Sequence, residues 1–181
     1  MQRLKLCAAM PAFVLIAAGA FAQDNASPPA SACEGSAGFD DFDFWVGEWD
    51  VYSTDGQERL LGHNRITKHY GDCLVLEEWE SAGGGGGMSI NYYNGVTGEW
   101  RQVWVSDGYA IDYTGGLDAD GAMVLEGHLY DYRQDTTSGF RGTWTPQDDG
   151  SVVQHFDILN PGSDTWTTWF DGLYVPSNDA T

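Results

Sequence analysis

With 181 residues and a formal net charge of −19, the chain is long enough for one globular domain and too acidic to hold a phosphate backbone or an anionic lipid surface through clustered cations. Its 8 Lys and Arg against 27 Asp and Glu suit solubility in a crowded exterior, or attraction of a cationic ligand or metal. The 24 glycines, 8 Trp, 9 Tyr and 8 Phe favour strands and tight turns over helices.

Residues 1–22 read as a secretory signal. Arg3 and Lys5 make a basic start, Leu6 to Phe21 is apolar and uncharged, and Ala20-Phe21-Ala22 places small residues where a signal peptidase reads them. The apolar run is too short for a membrane-spanning helix. Cleavage is therefore expected after Ala22, leaving a secreted or periplasmic protein with no stable membrane insertion. That step removes two basic residues and no acids, so the net charge moves from −19 to −21. Two cysteines remain, Cys33 and Cys73, and an oxidising compartment would pair them. The loop so closed is worth about 4 kcal/mol in the chain-entropy account.

Residues 23–38 are small, polar and Pro-containing, and read as a flexible linker. The stretch from Phe39 to Val51, FDDFDFWVGEWDV, organises the rest of the chain. Its first aromatics, spaced by acids, predict a plug, and the alternation after Gly47 predicts a first strand. Short β-type runs then recur between turn signals: 48–54, 59–70, 74–80, 88–93, 99–106, 109–114, 122–132, 140–145, 151–159 and 165–175. Residues 176–181 form a polar tail. About ten strands on hairpin-length turns predict an all-β, antiparallel up-and-down barrel over 39–175, because closure leaves no exposed sheet edge. A sandwich or jelly roll is the alternative.

Alternation assigns faces within each strand. Trp100, Gln102 and Trp104 share one face, with Arg101, Val103 and Val105 on the other. Val75, Glu77 and Trp79 alternate with Leu74, Leu76, Glu78 and Glu80. Val152, Gln154, Phe156 and Ile158 form an apolar face with one amide. Lone polar groups on such faces either satisfy their neighbours or orient a ligand. The lumen is expected to be lined by Trp100, Gln102, Trp104, Glu78, Trp144 and Gln154.

Motifs of known chemistry are scarce. Gly-x-Ser-x-Gly, Cys-x-x-Cys, His-Glu-x-x-His and a P-loop are absent, and the Gly83 to Gly87 run reads as a hairpin tip or mouth loop. Asp118-Ala119-Asp120-Gly121 starts like a calcium loop, but Leu129 stands where the bidentate Glu is required. His63 and His69 share a face at a separation of about 20 Å, too far for one metal. Glu77 and Glu78 beside Trp79 are candidate acid–base groups if one enters an apolar lumen, with Arg65 or Arg141 as anion stabilisers. His155 is the one candidate axial ligand for haem. No motif implies a resident cofactor.

The segments FDFWVGEWDV, HNRI (His63 to Ile66), GDCLVLEEW (Gly71 to Trp79), INYYN (Ile90 to Asn94), EWRQVWV (Glu99 to Val105) and TWTTWFDGLY (Thr165 to Tyr174) resemble a widespread bacterial family. Its members are exported, functionally uncharacterised, and expected to form calycin-like barrels. Gly47-x-Trp49 is similar to the motif with which lipocalins close the barrel base. The haem-binding nitrobindins are a more distant resemblance, with glycine where this chain has Val51. The resemblance implies a fold and no reaction. The expectation is thus an exported barrel binding a small, partly apolar molecule. The alternatives are a barrel enzyme with a luminal glutamate, a haem barrel through His155, and a barrel packed solid that acts through its surface.

Overall fold

A computed structural model describes residues 31–177 of the chain. The expected signal segment and its cleavage point, the start of the linker and the end of the polar tail lie outside the described residues. Ten strands follow one 3-10 turn, Asp43–Trp45: β1 (Gly47–Ser53), β2 (Leu60–His69), β3 (Leu74–Ser81), β4 (Gly86–Asn94), β5 (Glu99–Ser106), β6 (Tyr109–Leu117), β7 (Met123–Asp131), β8 (Thr136–Pro146), β9 (Val152–Leu159) and β10 (Trp166–Pro176). Each pairs antiparallel with its neighbours in sequence. β1 also pairs with β10, placing Trp49 opposite Pro176 and Val51 opposite Tyr174, and this closes the sheet. Every strand therefore has a partner on both sides, and no row of backbone donors is left bare.

The strands form where residues alternate between a greasy and a wet face. In β5 the inward set is Trp100, Gln102 and Trp104, while Arg101, Val103 and Val105 look outward. β8 starts at Thr136, four residues ahead of the expected Phe140. Thr136 to Gly139 carry no apolar pattern and are held by the backbone ladder to residues 128–131 of β7. The same is true at the start of β4, where Gly86 pairs with Glu80.

One end of the barrel is sealed. Phe42 and Trp45 are fully buried and stacked, with ring centroids 4.8 Å apart. Phe42 meets Trp100 and Trp144 edge-on at 5.5 and 5.2 Å. Two indole N–H groups fix the plug to the wall: Trp49 Nε1 donates to the Trp45 carbonyl (2.9 Å), and Trp100 Nε1 donates to that of Gly38 (3.0 Å). The segment ahead of the plug is tied down as well. Cys33 is buried and disulfide-bonded to Cys73, their Cα atoms 5.1 Å apart, and Ser31 Oγ donates to the Gly71 carbonyl. At the same end, Lys68 of β2, in the inward phase of Asn64 and Ile66, reaches Asp40 (3.0 Å) and Asp43 (2.8 Å). Burial lowers the pKa of this ammonium, but the two aspartates outweigh that and hold it above its ordinary value.

Candidate functional site

Inward-facing polar side chains of β2 to β6, β9 and β10 form a belt of hydrogen bonds across the barrel. From one side, the Tyr113 hydroxyl donates to Gln102 Oε1, and Gln102 Nε2 donates to Asn91 Oδ1. Asn91 Nδ2 donates to Ser89 Oγ (2.8 Å), and Ser89 Oγ donates to Glu77 Oε2 (2.6 Å). From the other side, Asn64 Nδ2 donates to Glu77 Oε1 (2.8 Å) and reaches the Tyr174 hydroxyl at 3.1 Å, which itself donates to Gln154 Oε1 (2.6 Å). Donors from both directions thus end on the two oxygens of one carboxyl group.

Glu77 is almost wholly buried, at 4% exposure. Burial pushes its pKa up to about 7, and the hydrogen bonds from Ser89 and Asn64 only partly offset that. Burial likewise raises the Tyr113 and Tyr174 hydroxyls well above their ordinary range, so both remain neutral donors.

Above the belt lies a cavity of about 110 Å³. Its floor is Glu77, Gln102, Tyr113, Gln154 and Tyr174, and its walls are Trp79, Trp104, Tyr109, Ile111, Phe156, Trp169 and Phe170. It opens at the end opposite the plug, where the β3–β4 hairpin carries the glycine run. Two local features shape it. A β-carbon at Gly87 would stand 2.3 Å from the Trp104 ring, so this indole lies flat across the glycine of the next strand. In β10 the register shifts between Thr168 and Phe170, and the extra residue, Trp169, is turned over the mouth beside Phe170. Trp169 stays 42% exposed and meets Tyr109 and Phe140 edge-on at 5.4 and 5.5 Å.

No protein-family model and no curated protein matches this chain at a significant level.

The expected lumen residues divide into three groups. Gln102, Trp104 and Gln154 line the cavity. Trp100 and Trp144 point inward but lie below the belt, where Phe42 covers them; they belong to the packed floor and not to the open space. Glu78 corrects the expectation outright. It faces outward and pairs with Arg65, because the inward phase of β3 is carried by Val75, Glu77 and Trp79. Arg141 likewise pairs outside with Glu126 at 2.7 Å, so neither arginine enters the lumen to stabilise an anion. His155 also lies on the outer face. Its Nδ1 is 2.6 Å from Asp171 and its Nε2 is 3.0 Å from Asp157, so no imidazole nitrogen is presented to the interior. Asn64, Ser89, Asn91, Tyr113 and Tyr174 join the site without having been expected there. Each was marked by a polar side chain at the inward phase of its strand, the same signal that singled out Gln102 and Gln154.

Proposed function

We propose that this is an exported protein whose barrel binds a small, partly apolar molecule in the cavity above the belt. The observation that carries the reading is the pairing of an aromatic-walled, open-mouthed space with a floor of convergent polar groups around Glu77. Stacking area comes from Trp79, Trp104 and Trp169, and orientation from the floor. The space is of the order that takes a single small ring, since an apolar cavity of about 150 Å³ holds benzene. Export is supported by the signal-like first 22 residues and by the Cys33–Cys73 bond, which suits an oxidising compartment. The closed barrel and the Trp49 contact at its base support the calycin-like family reading.

A second reading is favoured by one fact: a carboxyl group titrating near neutrality at the floor of a cavity suits general acid–base catalysis. Among the described residues the cavity holds no second charged group to assist it, so binding is the better-supported function.

Native mass spectrometry of protein purified from its own host tests the proposal. A retained small molecule is expected, and Trp104→Ala is expected to release it while thermal unfolding stays cooperative. Retention unchanged in that variant would remove this cavity as the binding site.

A further inference from the structure

We infer that the ligand is a small organic cation, held with its positive nitrogen against the Glu77 carboxyl and its apolar body among Trp79, Trp104 and Trp169. The inference rests on the binding reading above and names the chemistry of its ligand.

Three observations converge. First, among the described residues Glu77 is the one acid lining the cavity, and no Lys, Arg or His lines it. Ser89 Oγ–H and Asn64 Nδ2–H each address a different oxygen of this carboxyl. Donation to both oxygens suits an ionised carboxylate, yet the barrel lining supplies no counter-charge. A buried anion without a cation is costly and takes up a proton instead; a cationic ligand would supply the counter-charge that lets this carboxyl ionise. Second, aromatic faces attract cations, most strongly those of tryptophan, and desolvation strengthens the effect. Three indoles and Tyr109 surround the space in front of the carboxyl. Third, the loops at the mouth are acidic. Between β1 and β2, β5 and β6, β7 and β8, and β9 and β10, they carry Asp55, Glu58, Asp107, Asp135 and Asp164 against Arg59 and Arg133. Such a rim draws cations in and repels anions.

The donor set suits an organic cation better than a metal ion. Hard divalent cations take six or more oxygen ligands. Here the side-chain carbonyls of Gln102 and Gln154 already accept from tyrosine hydroxyls. Among the described residues, no group of three His, Cys, Asp or Glu side chains is placed to hold a metal.

Binding a cation would be linked to ionisation of Glu77, so affinity should rise with pH. The titratable groups that face Glu77 are Tyr109 and Tyr113 on β6 and Tyr174 on β10, all with hydroxyl pKa values raised and so neutral through this window.

Calorimetric titration of the folded protein with three ring compounds of one size decides the matter: benzylamine (cation), benzyl alcohol (neutral) and benzoate (anion). At about pH 8, above the Glu77 transition, benzylamine is expected to bind at least ~10-fold more tightly than benzyl alcohol, and benzoate most weakly. Lowering the pH to about 5 should erase the benzylamine advantage while leaving benzyl alcohol unchanged. Glu77→Gln should erase it at about pH 8 as well. The pH series needs no variant and stands even if the substitution perturbs folding. Equal or tighter binding of benzyl alcohol at the higher pH would overturn the cation inference and leave the binding reading intact. No binding of any of the three, with no molecule retained from the host, would overturn both.

Discussion

At the scale of single residues, Glu77 has a measurable consequence for stability. In an unfolded chain its carboxyl ionises near 4.5, and in the barrel near 7. Between those values the folded state keeps a proton that the unfolded state has released. Stability therefore falls as pH rises through that window and levels off above it, by roughly 3 kcal/mol in all. Glu77→Gln is expected to raise stability at about pH 8 by up to that amount and to change little at about pH 4. Urea denaturation at the two pH values checks this, and an equal effect at both would show that Glu77 does not titrate in the window. His155 acts in the same direction at higher pH. Burial lowers its pKa, but Asp171 and Asp157 raise it by more. Its contribution is thus present below its unfolded value of about 6.5 and lost as pH passes its folded value. The ring is 37% exposed, so solvent screening holds this to less than about 1 kcal/mol. Comparing the glutamine variant with the parent isolates Glu77. Alternation along β3 already separated Glu77 from Glu78. What it did not supply was which of the two faces looks inward, because both sides carry leucine or valine and an acid.

At the scale of elements, large and small side chains alternate between neighbouring strands so that aromatic rings have somewhere to lie. A β-carbon at Gly142 of β8 would stand 2.9 Å from the rings of Phe156, Trp144 and Tyr113. Gly142→Ala is expected to cost about 1–3 kcal/mol through overpacking. Gly116 of β6 has nothing within 4 Å of the same position. Gly116→Ala, also within a strand, is expected to change stability by less than about 0.5 kcal/mol. Thermal denaturation of the pair checks the contrast, and similar losses would mean that strand geometry rather than ring contact sets the cost. The bulge in β10 is a different matter. Strict alternation puts Trp169 and Phe170 on opposite faces, yet both line the cavity. The extra residue exists only relative to the partner strand β9, so no pattern within β10 announces it.

At the scale of the whole molecule, the plug is held by a covalent tie, two indole hydrogen bonds and the Lys68 clamp, all at the end away from the mouth. Replacing Cys33 and Cys73 with serine is expected to cost about 2–4 kcal/mol. Denaturant titration of the double variant measures it. A loss below about 0.5 kcal/mol would mean that the unfolded chain is already constrained or that the plug is held without the bond. The order of the strands, their number and their closure were legible in the chain, because turn residues and a two-residue period are local properties that each hairpin satisfies by itself. The disulfide was legible as well, since residues 23–181 contain no other cysteine. Depth along the barrel axis was not. Trp100 and Trp104 are alike in type and face, but one lies under Phe42 and the other walls the cavity. The belt was only half open to reading: its run from Tyr113 to Asn64 crosses consecutive strands, but the link from Asn64 to Tyr174 forms only when the ends of the sheet join. Residue types and periods fix which face a side chain takes; the register between paired strands, and the closure that joins the first strand to the last, decide the level at which it sits and the partner it finds there.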